Sequence, residues 1–148
     1  GNSEVAAAGS YSVTEKYEEY LSQILDYHEK ESPISHLKKY ELVKGDATKS
    51  LEDYLKKHPE TIVALAYFDF DIYEPTKRCL ELIKTRLGKG SIIGFDELNH
   101  PEFPGETIAF DELLGISNYK IIRSPITPLP SYIVIEWSFL IKFFQSYI

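Results

Sequence analysis

The 148-residue sequence contains no methionine, one tryptophan, one cysteine and four histidines. A lone cysteine, Cys79, cannot close an internal disulfide, and no Cys/His spacing suits zinc. The expected compartment is therefore a reducing cytoplasm. No apolar run reaches the ~18–20 residues that a membrane helix needs, and no stretch reads as a signal peptide. The longest apolar tract, residues 137–144, is interrupted by Ser138 and Lys142. Neither a Gly-x-Ser-x-Gly elbow nor a P-loop is present. Basic residues are outnumbered, 16 Lys and Arg against 23 Asp and Glu, for a net charge of -7. That balance argues against a nucleic-acid partner or an anionic membrane surface, both of which reward clustered cations. A start at Gly1 without Met reads as a processed or incomplete chain.

What is present suits one α/β domain. Hydrophobic residues make up 43%, enough at this length for a real core, and 14% are aromatic. Residues 1–12 are small and polar and read as a flexible lead-in. Tyr17, Tyr20, Leu21, Ile24, Leu25 and His28 recur at helical spacing over residues 13–31, with Thr14 as a candidate N-cap and Pro33 as a stop. A short strand is predicted at 40–46, closing on Gly45-Asp46, then a helix at 50–57. Residues 61–68 are almost wholly apolar, which predicts a strand buried on both faces. A helix over 73–87 follows, with Pro75 in its first turn and Cys79 on its apolar face, expected to be buried and inert. Gly88-Lys89-Gly90 predicts a turn before a second buried strand at 91–95. A loop, a helix at 106–114 and two strands near 119–124 and 132–137 complete the order α-β-α-β-α-β-α-β-β. Alternation of this kind predicts a mostly parallel sheet with helices on both faces and a C-terminal antiparallel hairpin. Residues 138–148 form an apolar tail, expected to be covered by this fold or by a partner subunit in a homo-oligomer.

Open sheets of this type bind ligands beyond the carboxyl ends of their strands. Three acidic spots fall there: Asp46, Asp69 with Asp71, and Asp96 with Glu97. Carboxylates at a strand exit are costly to bury unless solvated, paired or holding a cation. Asp69, Asp96 and Glu97 are candidate oxygen ligands for Mg²⁺ or a similar hard cation. The plainer alternatives are that Asp71 caps the following helix, that Asp96-Glu97 is a solvated turn, and that Gly45-Asp46-Ala47 is an ordinary turn. His100 is the one histidine near the acidic loop, whereas His28 and His36 read as surface residues and His58 precedes a proline at a helix end.

The run Ala66-Tyr67-Phe68-Asp69-Phe70-Asp71-Ile72-Tyr73-Glu74-Pro75-Thr76, followed by residues 87–97 ending in Phe95-Asp96-Glu97, resembles the macrocin O-methyltransferase family of class I S-adenosylmethionine enzymes. Pro104-Gly105 and residues 109–112 resemble that family's next helix, and residues 43–46 its adenine-contacting strand exit. The likeness spans roughly residues 9–136. It implies a partial Rossmann-like methyltransferase domain over residues 13–137. Asp69, Asp96 and Glu97 would then hold a divalent metal, Asp69 would serve as general base, and Asp46 with Ala47 would contact the cofactor. Glu97 stands where the family has a second Asp, and Leu98 where it has Tyr. The glycine-rich first strand turn and the acidic second strand have no counterpart in these 148 residues. The resemblance therefore implies part of an O-methyltransferase for a hydroxyl of a small sugar-like or secondary metabolite, itself expected to bind S-adenosylmethionine poorly. Two rivals stand beside it: a non-catalytic α/β binding or assembly module, and an unrelated metal-dependent hydrolase using the same three acids.

Overall fold

The computed structural model describes residues 14–127 and 129–136, and the expectations for the lead-in and the apolar tail lie outside them. The chain divides into two compact units, Gly1–Lys44 and Gly45–Ile148.

In the first unit, helix α1 spans Tyr17–Glu31. Its N-cap is Lys16 in a left-handed conformation with no side-chain cap, and Thr14 contributes its carbonyl to the Tyr17 amide at 3.2 Å rather than its hydroxyl. None of the residues of α1 is buried, so its aromatic stripe is not a core stripe. The strand predicted at 40–46 does not form. Residues 38–44 are irregular because side chains rather than a backbone ladder hold them. Both Glu29 carboxyl oxygens accept the Lys39 amide, Tyr40 bonds Asp26, and Lys44 pairs with Glu18.

The second unit carries helix α2 (Ala47–Lys57), strand β1 (Val63–Phe68), helix α3 (Tyr73–Ile83), strand β2 (Leu87–Phe95), helix α4 (Gly105–Leu114), and strands β3 (Ile122–Arg123) and β4 (Ser131–Val134). The sheet order is β1-β2-β4-β3. β1 and β2 are parallel, whereas β4 runs antiparallel to both β2 and β3. The α/β class and the antiparallel C-terminal end hold, but the sheet is partly rather than mostly parallel.

Helix α3 is shorter than its apolar spacing predicts. Lys84–Arg86 tighten into a 3-10 turn, and Leu87 joins the sheet opposite Val63. Strand pairing outweighs helix propensity there, since tertiary context routinely overrides so weak a preference. Gly88-Lys89-Gly90 falls inside β2 as an irregular stretch between the Val63–Leu87 and Leu65–Ile92 pairings. Ser91 secures it: its Oγ accepts the Gly88 amide at 2.9 Å and donates to the Val63 carbonyl at 2.7 Å.

The core lies on one face of this sheet. Phe68, Ile93, Phe95 and Ile133 meet Cys79, Leu80 and Ile83 of α3 and Phe110 and Leu114 of α4. Phe95 packs between Phe68, at 5.5 Å between ring centroids, and Phe110, at 5.3 Å. The opposite face departs from the expectation of a strand buried on both sides. Leu65 is 65% exposed and Tyr67 54%. With Ile92, Gly94, Pro125, Pro130 and Tyr132 they line an open apolar groove. Coverage of both faces is thus not seen among the described residues. β1 is apolar but lies at the sheet edge with one face open. Among the described residues no helix is long and apolar enough to cross a membrane.

Candidate functional site

The parallel pairing of β1 and β2 runs to Phe68 opposite Phe95. One more bond, from the Asp96 amide to the Phe68 carbonyl at 3.0 Å, carries the ladder to the last residue of each exit. Asp69 and Asp96 therefore leave the sheet side by side. Burial raises the Asp69 pKa above the ordinary carboxylate range, and the charges of Asp96 and then Asp71 raise it further. Like charges this close disfavour simultaneous ionisation. Asp69 lies at the exposed end of the strand.

Asp96 is held by a residue that sequence reasoning passed over as strand filler. The Tyr67 hydroxyl donates to Asp96 Oδ1. Gly94, paired with Tyr67 across the ladder, makes this reach possible. A Cβ there would lie 2.7 Å from the Tyr67 ring, so only glycine lets the ring lie over β2. Burial, and then the Asp96 bond, push the Tyr67 pKa upward, which keeps the phenol protonated and donating.

Glu97 is mostly buried, and its Oε2 has no hydrogen-bond partner among the described residues. The His100 Nδ1 stands 3.9 Å away but already accepts the Glu102 amide at 3.3 Å. Burial raises the Glu97 pKa, opposed by His100 and reinforced by Asp96, Asp71 and Asp69. His100 is thus beside the acidic loop, as its sequence position suggests, with its ring tilted on Phe103.

Beneath the two exits lies a carboxylate that was read only as the start of a helix. Glu106, in the first turn of α4, is fully buried. Its Oε1 accepts the Phe70 amide at 3.2 Å and its Oε2 the Glu97 amide at 3.0 Å. Burial raises its pKa, while these amides and the Asp71 backbone pull the other way. The sequence signal for it was an acid directly after Pro104-Gly105 at the head of an otherwise apolar helix.

Asp71 does not cap α3. The N-cap is Ile72, without a side-chain bond, and Asp71 itself adopts a left-handed φ of 61°. The Ile72 amide closes on the Phe70 carbonyl at 2.7 Å, making a tight three-residue turn of a strained kind.

Asp46 and Ala47 lie away from this cluster in sequence, at the head of α2. There Asp46 is the helix cap, accepting the Thr48 amide at 3.0 Å and the Thr48 hydroxyl at 2.6 Å. These bonds, hydroxyl first, hold its pKa down. The structure thus gathers Asp69, Asp96 and Glu97 at one end of the β1–β2 pair. Among the described residues, however, no group of three His, Cys, Asp or Glu side chains stands close enough to hold a metal ion without rearrangement. The donor chemistry still suits a hard cation: all three are carboxylates, two have raised pKa values, and one buried oxygen lacks a donor.

Solved structures similar to this chain are methyltransferases, and the chain carries part of that fold. A crystal structure of CalS11, a calicheamicin methyltransferase, matches with a TM-score of 0.83 and 41% sequence identity, over 89% of this chain and 52% of that one. The apo structure of CalS11, described as a TDP-rhamnose 3'-O-methyltransferase in calicheamicin biosynthesis, matches with a TM-score of 0.77 and 42% identity, over 84% of this chain and 54% of that one. The chain therefore spans about half the length of these structures. No protein-family model and no curated protein matches it.

Proposed function

We propose that the chain is the C-terminal part of an S-adenosylmethionine-dependent O-methyltransferase whose acceptor is a hydroxyl of a sugar nucleotide of the TDP-rhamnose kind. The observation that carries this reading is the side-by-side exit of Asp69 and Asp96, in a chain 41% identical to a calicheamicin methyltransferase. S-adenosylmethionine would supply its sulfonium methyl to the acceptor oxygen and leave as S-adenosylhomocysteine, and the Asp69 carboxylate would take the hydroxyl proton. Tyr67 holds Asp96 in place, and the open groove beside Tyr67 offers an apolar wall for a ligand.

Asp69, Asp96 and Glu97 would hold a divalent cation such as Mg²⁺, which when bound lowers the pKa of an acceptor hydroxyl. Asp46 and Ala47 are proposed to face the cofactor; Asp46 Oδ1 takes both bonds from Thr48, and its Oδ2 pairs with Lys49 at 3.7 Å, a contact the cofactor would have to share or displace. A second reading, an assembly module without catalysis, draws support from the open edge of β1 and its exposed Leu65.

Calorimetry of the intact protein with S-adenosylmethionine and TDP-rhamnose, with and without Mg²⁺, separates the two. Binding of both ligands, and loss of methyl transfer in Asp69→Asn without loss of cofactor binding, supports the enzyme. Absence of cofactor heat under every condition sinks it and leaves the module.

A further inference from the structure

Past the Asp96–Phe68 bond the two strand exits diverge, one into the Asp71 turn and α3, the other into the loop toward His100. What bridges them is the Glu106 carboxylate. One oxygen takes the amide of Phe70, next in chain to Asp69, and the other takes the amide of Glu97, next in chain to Asp96. A carboxylate with 0% exposure costs several kcal/mol to bury unless charge-assisted bonds replace its water. Its place in the first turn of α4 adds a favourable helix end. Gly105 brings that end into contact. A Cβ at Gly105 would lie 2.4 Å from the Tyr73 amide nitrogen, 2.5 Å from the Ile72 carbonyl carbon and 2.8 Å from the Asp71 carbonyl oxygen. The head of α4 is thus pressed against the strained turn that follows Asp69. A cap that served α4 alone would have no reason to reach two loops distant in the chain.

We propose that Glu106 is a positioning residue: through its two oxygens it sets the spacing between the Asp69 exit and the Asp96-Glu97 exit, while Gly105 supplies the close approach that lets it do so. The inference rests on the reading of those acids as the reacting edge. Glu106, fully buried, acts through the two amides it holds.

Amide hydrogen exchange by NMR on the full chain, with Glu106→Ala and Glu106→Gln, tests it. In Glu106→Ala the Phe70 and Glu97 amides should lose about tenfold or more of their protection together, with Ile93 and Ile133 unchanged. Glu106→Gln keeps one acceptor oxygen and turns an amide NH₂ toward the other donor, so one of the two amides should keep its protection and the other lose it. A Mn²⁺ titration should show affinity about tenfold weaker in Glu106→Ala, partly restored in Glu106→Gln. Unchanged protection at both amides, loss spread evenly over the sheet, or equal Mn²⁺ affinity in wild type and Glu106→Ala overturns the proposal. Should Glu106→Ala fail to fold, Glu106→Gln decides: uneven loss supports the clamp, and even or absent loss overturns it. If the unaltered chain binds no Mn²⁺, the metal reading fails by itself and the exchange data alone judge the clamp.

Discussion

The two faces of the β1–β2 pair are built from equally apolar residues and behave in opposite ways. Phe68, Ile93 and Phe95 vanish beneath α3 and α4, while Leu65 and Tyr67, on the other face of β1, remain mostly exposed. Strand alternation sends neighbours to opposite faces, so burial depends on what lies over each face rather than on hydropathy. The difference reaches the site. On the covered side, Glu106 is fully buried and accepts two backbone amides; on the open side, Tyr67 lines the groove and holds Asp96.

The sharpest way to break this contrast is to truncate one residue on each face. Phe95→Ala should cost about 3–5 kcal/mol in urea unfolding, because a closed core cannot collapse around so large a gap. Leu65→Ala should stay within about 0.5 kcal/mol, as expected away from the core; comparable losses would mean the groove is covered.

Two glycines give a smaller and more local comparison. Gly105→Ala drives a methyl into the backbone of Ile72 and Tyr73 and should cost about 3 kcal/mol. Gly94→Ala meets only the exposed Tyr67 ring, which can swing away at about 1 kcal/mol while giving up Asp96. Thermal unfolding ranks the two, and equal effects would contradict the open face.

The smallest effect concerns charge. Burial and neighbouring acids raise the Asp69 pKa in the folded state, so its contribution to stability is present below the ordinary carboxylate pKa and is lost as pH climbs through the raised value. Without added divalent ion, Asp69→Asn should therefore melt higher than wild type at neutral pH, by about 2 °C, given exposure to solvent and the usual scale of Tm shifts. The gap should close under acid conditions. A gap that widens on acidification would reverse the sign argued here.

Much of the element order was legible because periodicity reports it directly. The apolar spacing of Cys79, Leu80 and Ile83 marks α3, and Cys79 is buried as expected. The acids at the strand exits were legible too, since a carboxylate just beyond an apolar run is conspicuous. The strand at 40–46 was misread because its Tyr and Val suit a strand, yet no neighbour offers a ladder among the described residues. Leu87 was misassigned to a helix because the pull of Val63 is long-range. Tyr67 and Glu106 were missed for a shared reason: each looks ordinary locally and gains its role from partners 29 and 36 residues away.

From its sequence alone this protein is an α/β chain with a hydrophobic core, apolar strands ending in acids, and a motif resembling an O-methyltransferase. Those properties follow from side-chain chemistry and local period, which need no partner to be read. Tertiary structure decided that among the described residues β1 is an edge with one open face, that Asp46 caps a helix, that Tyr67 lies over Gly94 to hold Asp96, and that one buried carboxylate ties two distant exits together. Each depends on which backbone groups lie opposite one another in space, and hydrogen-bond partners so far apart in the chain leave no period to detect.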